Sequence, residues 1–282
     1  MHAIGVSPAY FISRFTHRFT PDDVAGSLGE LARQGFRMFQ LEVFHRENLD
    51  DWRARGAGIV RRQSIAHGLQ ASQFVAHFML EDFSDRQNLI SNAAIEQMKV
   101  VLDIVDRFEE CRVITVPLPA FEDRAASSRD NYLFLFERCA GKLSRLLAMV
   151  EDAGRRMALE ILPGAIVGGI DGFLRLCEHL GSETLGFNFD TGHAWACKEN
   201  LYLIPAKLGP RILGTHLCDN FGNENLSLRP GAGSIDWPRL MAALTACGYN
   251  GPWDVEIICK PEAASVEYGG GRKFIENLLN QS

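Results

Sequence analysis

Short apolar runs alternate along the chain with longer stretches whose apolar residues recur every three to four positions. Ala3–Ser7 is apolar and strand-like, and Thr20-Pro21 opens a helix predicted over Asp22–Gln34. Further strands are predicted at Arg37–Phe44, Leu69–Phe78 and Arg112–Pro117. Between them lie a weak helix near Trp52–Arg62 and a strong one over Arg86–Phe108, where Leu89, Ala93, Met98, Leu102 and Val105 keep helical spacing. Asn131–Ala153 repeats that spacing through Leu135, Leu143, Leu146, Leu147 and Val150. The second half is more regular. Strands at Met157–Ile161, Leu185–Asp190, Ile212–Cys218 and Trp253–Ile258 are followed by helices at Gly172–Leu180, Lys198–Leu208, Trp237–Ala246 and Val266–Leu279. Counting the weak helix, the pattern holds eight strand-then-helix units. It predicts an α/β protein, a (β/α)8 TIM barrel with residues 1–282 as one domain. A doubly wound open sheet is disfavoured, because no G-x-G-x-x-G follows the first strand.

Composition narrows the partners. With 46% hydrophobic residues the chain has ample material for a large core, which excludes a disordered class. Lys plus Arg total 29 against 35 Asp plus Glu, a net charge of −6, which argues against nucleic acid as partner. The charge-free stretch 63–80 contains Gln63, Ser64, His67, Gln70, Ser72, Gln73 and His77, too polar for a bilayer span, so no membrane association is expected. The opening Met1-His2-Ala3-Ile4-Gly5-Val6-Ser7-Pro8 has no basic segment before an apolar core and reads as no secretory signal. Seven cysteines, an odd number without a C-x-x-C pair, read as reduced thiols of a cytoplasmic protein.

Candidate chemistry gathers at the predicted strand ends, where a barrel of this kind carries its active site. Glu160 lies in Ala158-Leu159-Glu160-Ile161, Asp190 ends Gly186–Asp190, His216 follows Thr215, and Glu256 follows Val255. Glu42 and His77 stand near the ends of the second and third strands. Taken singly, such a Glu is usually solvated and such a His is usually a hydrogen-bonded core residue. Taken together, three carboxylates and an imidazole at one mouth would repel one another without a cation. Hard oxygen ligands with one imidazole suit Mn²⁺, Mg²⁺, Co²⁺ or Zn²⁺.

The sequence resembles the xylose isomerase-like TIM barrels, a group of sugar isomerases, sugar epimerases and endonuclease IV-type enzymes. The motifs are Glu160, Asp190-Thr191-Gly192-His193, His216-Leu217-Cys218-Asp219-Asn220, Pro230-Gly231-Ala232-Gly233-Ser234-Ile235-Asp236-Trp237 and Glu256. The resemblance implies one divalent metal, Mn²⁺ foremost, held by Glu160, Asp190, His216 and Glu256. It also implies a small-molecule carbohydrate substrate contacted by His193, with Glu42 and His77 lining the same mouth. Relatives commonly self-associate, which leaves a homo-oligomer open, although no interface is legible. The nuclease members' extra ligands are missing: the fourth strand reads Ile114-Thr115-Val116-Pro117-Leu118-Pro119, and the Asp-x-His slot reads Asn225-Leu226-Ser227. The ketose 3-epimerase members' Asn-Arg and second Glu are missing from Ile161–Ile166, and Arg229 is the substitute offered for their Arg after the seventh strand.

The expected reaction is proton transfer next to a polarised carbonyl through an enediolate, with Glu160 and Glu256 as the acid/base pair. It yields a sugar or polyol isomerase or epimerase. The alternatives are a dehydratase or lyase on a keto-sugar or keto-cyclitol, an abasic-site endonuclease, and a non-catalytic sugar-binding barrel. His193 has a second reading, as a residue that orients Asp190. Trp195 and Trp237 read as pocket walls or core, and Phe11, Phe15 and Phe19 as a lid or a loop anchor. Gly269-Gly270-Gly271-Arg272 reads weakly as a sugar-phosphate loop at a helix start.

Overall fold

The eight predicted strands all form, and they pair in parallel in chain order. The computed structural model describes residues 3–122 and 128–281. Its strands are β1 (Ile4–Val6), β2 (Met38–Glu42), β3 (Gln70–Val75), β4 (Val113–Leu118), β5 (Arg156–Ile161), β6 (Gly186–Asp190), β7 (Ile212–His216) and β8 (Trp253–Val255). β8 pairs with β1, and the order then runs unbroken to β7. The ring closes at Leu217, which bridges Val255: its N–H donates to Asp254 O at 2.8 Å, and Glu256 N–H donates to Leu217 O at 3.0 Å. This is the (β/α)8 barrel that the alternating pattern predicts. Met1 and His2, which open the segment read as free of a signal, lie outside the described residues.

Helices cover the outside. α1 (Ala9–Phe15) and α2 (Pro21–Arg33) follow β1, and α3 (Leu49–Asp51), a π-helical turn at Trp52–Gly56 and α4 (Ala57–His67) follow β2. α5 (Arg86–Ile90) and α6 (Ala93–Val105) follow β3, α7 (Arg129–Asp152) follows β4, and α8 (Gly169–Leu180) follows β5. α9 (Thr191–Ala196) and α10 (Ile204–Leu208) follow β6, α11 (Trp237–Ala246) follows β7, and α12 (Ala264–Leu279) follows β8. α2 starts where Thr20-Pro21 predicts. Thr20 Oγ1 accepts from Asp23 N–H at 3.3 Å while Thr20 N–H donates to Asp23 Oδ2 at 2.8 Å, a reciprocal cap. Among the described residues no helix is long and apolar enough to cross a membrane, and all seven cysteines are free.

Three elements depart from the sequence expectation. The helix predicted over Arg86–Phe108 is two helices, because Asp85 caps the first by accepting from Asn88 N–H at 2.8 Å and Ser91 turns extended at φ −69°, ψ 161°. The helix predicted over Lys198–Leu208 is only α10, since Lys198 adopts a left-handed φ of 60°. Gly269-Gly270-Gly271-Arg272 is no loop at a helix start. It lies inside α12, where missing side chains admit neighbours: a Cβ at Gly271 would stand 3.1 Å from Val255 Cγ1, and one at Gly270 would stand 2.7 Å from Arg229 Nη1.

Strand alternation sets what the barrel interior holds. On β6, Phe187 and Phe189 point outward, and Phe187 meets Phe173 of α8 edge to face at 5.0 Å between ring centroids. Asn188 and Asp190 point inward. Beneath the mouth lies a fully buried polar layer of Gln40, Gln73, Thr115, Asn188 and Asp254, with Ser72 beside it. Val113 and Ala158, two residues before Thr115 and Glu160, join Leu213 in a small apolar cluster below that layer. Gly214 makes the layer possible, since a Cβ there would come within 2.7 Å of Asn188 Oδ1 and 2.9 Å of Gln73 Oε1.

Candidate metal centre

Glu160 on β5, Asp190 at the end of β6, His216 at the end of β7 and Glu256 one residue past β8 all turn into the barrel mouth. His216 Nδ1 lies 3.1 Å from Glu160 Oε2, 3.1 Å from Glu256 Oε2 and 3.8 Å from Asp190 Oδ2. Asp190, His216 and Glu256 each offer a ligand atom within 4.8 Å of the others, and so do Glu160, Asp190 and His193. Each of the first three side chains already has part of its bonding capacity committed. Asp190 Oδ1 accepts from His193 N–H at 2.7 Å, so Asp190 ends β6 and caps α9 with the same carboxylate. Glu160 Oε2 accepts from Asn188 Nδ2 at 3.0 Å. His216 Nε2 meets Gln40 Oε1 at 2.8 Å.

What remains uncommitted is diagnostic. Asp190 Oδ2 and His216 Nδ1 are buried atoms with no hydrogen-bond partner, and they face each other across the cluster. Buried polar atoms are rarely left so. Gln40 Oε1 can only accept, so His216 Nε2 carries a proton in either charge state, and in the neutral ring Nδ1 presents a lone pair toward three carboxylates. Lone pairs and negative charges meeting at one buried point are the surroundings of a cation. The donor set of three carboxylates and one imidazole fits a divalent metal.

The electrostatics of the protein groups reflect the same crowding. Burial pushes the Glu256 carboxyl up, and Asp190 and Glu160 add to the push, to about 7. Burial also works against the Glu160 carboxylate, but His216 and His193 outweigh it and hold it down at about 2. Burial pulls the His216 imidazole down, yet Glu160 and Glu256 keep it well above its ordinary value. The two carboxylates of one mouth are thus driven apart by their surroundings.

The remaining candidates divide. His193 lines the same cavity, with Nε2 3.7 Å from Glu160 Oε1 and 3.8 Å from Asp190 Oδ2, while its backbone N–H donates to Asp190 Oδ1. Glu42 and His77 line the opposite wall as a pair, Nδ1 to Oε1 at 3.4 Å, with His77 stacked on Phe44 at 4.1 Å. Burial alone would lower the His77 pKa, but its bond to Glu42 raises it. Arg229 is elsewhere: it packs onto α12 against Gly270 and Gly271, with Nε 3.7 Å from Glu267 Oε2, and is not among the residues lining this cavity. Trp237 is buried core and donates to Asp219 Oδ2 at 2.8 Å, and Trp195 donates to Ser234 Oγ at 3.1 Å; neither lines the cavity. Phe11 and Phe19 are buried against each other, 5.8 Å between centroids, which is the anchor reading rather than the lid.

The cavity measures about 160 Å³, and Ile12, Val75, Leu80, Pro117, Leu162 and Ile258 supply an apolar part of its lining. Sequence reasoning missed the layer beneath it. Thr115 Oγ1 donates to Gln73 Oε1 at 2.6 Å, Gln73 Nε2 to Asn188 Oδ1 at 2.9 Å, and Asn188 to Glu160. Gln40 Nε2 and Ser72 Oγ both donate to Asp254 Oδ2 at 2.8 Å. The available signal was alternation: Gln40, Asn188 and Asp254 each precede a candidate residue by two positions and share its face.

Residues 28–278 match the xylose isomerase-like TIM barrel family, and the chain belongs to it. Its relatives include an uncharacterized protein of Sinorhizobium fredii, 30% identical over 48% of this chain and 43% of that one. Another, from Methanocaldococcus jannaschii, is 28% identical over 62% of this chain and 61% of that one. The matches thus span less than two thirds of these relatives' own length. Among solved structures, a D-tagatose 3-epimerase-like protein superposes with a TM-score of 0.74 at 20% identity, covering 99% of this chain and 97% of that one. A D-allulose 3-epimerase from a Methylomonas species, in complex with D-allulose, gives 0.75 at 15% identity over 98% and 96% of the two chains. The IolI protein with a bound zinc atom gives 0.74 at 15% identity over 98% and 96%. At those identities the likeness is one of fold.

Proposed function

We propose that residues 1–282 act as one barrel domain, a divalent-metal-dependent isomerase or epimerase of a sugar or other polyol. Glu160, Asp190, His216 and Glu256 hold the metal, with Mn²⁺ favoured and Co²⁺, Zn²⁺ or Mg²⁺ also suited to the donors. One observation carries this reading: buried Asp190 Oδ2 and His216 Nδ1 face each other without partners, flanked by two more carboxylates. The epimerase and zinc-bound neighbours support it by analogy of fold.

When bound, the metal supplies Lewis acidity that polarises a substrate carbonyl and its adjacent hydroxyl. The chain's own groups do the rest. Glu160 and Glu256, on β5 and just past β8, stand on two sides of the cavity. One takes the proton from the carbon beside the carbonyl, leaving an enediolate, and the other returns it. Return to the same carbon from the opposite face inverts it, and return to the neighbouring carbon, with the hydroxyl proton passing from one substrate oxygen to the other, moves the carbonyl. His193, Glu42 and His77, which line the cavity, bond substrate oxygens in this reading, and Ile12, Val75, Leu80 and Leu162 cover apolar C–H surface. This apolar lining favours a small neutral substrate with part of its surface poor in hydroxyls.

Incubation of the Mn²⁺- or Co²⁺-loaded protein with neutral keto-sugars in D2O tests the reading. Deuterium is expected at the carbon next to the carbonyl of recovered substrate and product. Glu256→Gln is expected to lower that incorporation by about 10²–10⁴-fold. No incorporation into any keto-sugar would contradict the assignment, and loss of water from the substrate would point instead to elimination at the same site.

A further inference from the structure

Gln40 and Asp254 touch no atom that substrate would reach, yet they decide which nitrogen of His216 is available. Asp254 is fully buried, and its Oδ2 accepts from Gln40 Nε2 at 2.8 Å and from Ser72 Oγ at 2.8 Å. A carboxylate cannot donate, so the Gln40 amide must turn its NH2 toward Asp254 and its oxygen away. That oxygen meets His216 Nε2 at 2.8 Å. In the neutral, ligand-competent ring the proton is therefore held on Nε2, and the Nδ1 lone pair is aimed at Glu160, Asp190 and Glu256. A reversed amide would place N–H against Nε2, drive the proton to Nδ1 and block the ligand position.

We infer that Asp254 and Gln40 form a positioning relay that fixes the His216 tautomer and thereby sets metal affinity. The relay rests on the metal-centre reading above and adds two residues to it. Partners of this kind typically change metal affinity about 10–100-fold when removed.

The test is Co²⁺ affinity, measured by competition with a chromophoric chelator, alongside the melting temperature. Gln40→Met, close in volume but without the acceptor oxygen, is expected to weaken Co²⁺ binding by about 10–100-fold. The inverted pair, Gln40→Glu with Asp254→Asn, keeps the charge and again presents an acceptor to Nε2. In that pair the amide introduced at position 254 donates to one oxygen of the carboxylate introduced at position 40, and the other oxygen faces the imidazole. It is expected to recover most of the loss, which a purely structural role would not produce. Gln40→Met binding Co²⁺ like the wild type, or an inverted pair as weak as Gln40→Met, would overturn the relay. Wild type without any Co²⁺ affinity would overturn the metal centre instead. The relay then stands or falls on the ring nitrogen NMR shifts of His216 at alkaline pH: a proton on Nε2 supports it, and a proton on Nδ1 overturns it.

Discussion

Asp219→Asn replaces one oxygen by NH2 and should loosen a whole segment. The Asp219 carboxylate is fully buried three residues past His216. Its Oδ1 accepts from Asn220 N–H at 2.9 Å and Ile235 N–H at 3.2 Å. Its Oδ2 accepts from Gly231 N–H at 3.0 Å and Trp237 Nε1–H at 2.8 Å. The Pro230–Trp237 motif thus folds around this carboxylate. Whichever way the variant's amide turns, two donors face a donor. Two bonds to a charged group are lost, at about 1.5–3 kcal/mol each, or about 3–6 kcal/mol in all. For a chain of this size that lowers the melting temperature by about 5–10 °C. The damage should spread to α9, because Asn220 Nδ2 donates to Gly192 O at 2.9 Å. Urea unfolding and thermal melts followed by tryptophan fluorescence measure the loss. A melting temperature within about 2 °C of wild type, the size of an ordinary surface substitution, would refute the reasoning.

Gly269 lies within α12, and a Cβ there would meet nothing nearer than Gln34 Oε1 at 3.9 Å. Gly269→Ala should therefore stabilise the protein by about 0.5–1 kcal/mol, and a lowered melting temperature would contradict the helical placement. His77 should titrate above its ordinary 6.5: burial, the largest single effect, lowers it, but the bond to Glu42 and the charges of Glu42, Glu160 and Glu256 together outweigh burial. A pKa raised on folding means that the stabilisation is complete below about pH 6.5 and is lost as pH rises through the raised value. Glu42→Gln should bring the NMR titration midpoint of His77 down, and an unchanged midpoint would show that Glu42 is not the cause.

The sequence revealed most where one local signal decided the outcome. The apolar runs became eight strands, Trp237–Ala246 became α11 at both ends, and Thr20-Pro21 opened α2. Glu160, Asp190, His216 and Glu256 each stand at or beside the end of a strand, so the barrel topology alone brings them to one mouth. Signals that depend on distant partners were not legible. Gln40, Gln73 and Thr115 look like ordinary polar strand residues until β2, β3 and β4 face β6, β7 and β8 across the barrel. Asp190 serves as strand end and helix cap at once, so α9 starts with no loop to announce it. The glycines of α12 suggest a phosphate loop in one dimension. In three dimensions they make room for Arg229, Val255 and Ile257, and that contact takes Arg229 away from the cavity.

Metal content tests the central claim most directly. Protein purified without a chelating tag and offered Mn²⁺, Co²⁺, Zn²⁺ or Mg²⁺ should retain about one ion per chain, as a single four-residue site with positions left open for substrate implies. Glu160→Gln and His216→Ala should each lose that ion while keeping the melting behaviour of a folded barrel. Wild type that takes up none of these ions, or variants that bind them as well as wild type does, would contradict the account.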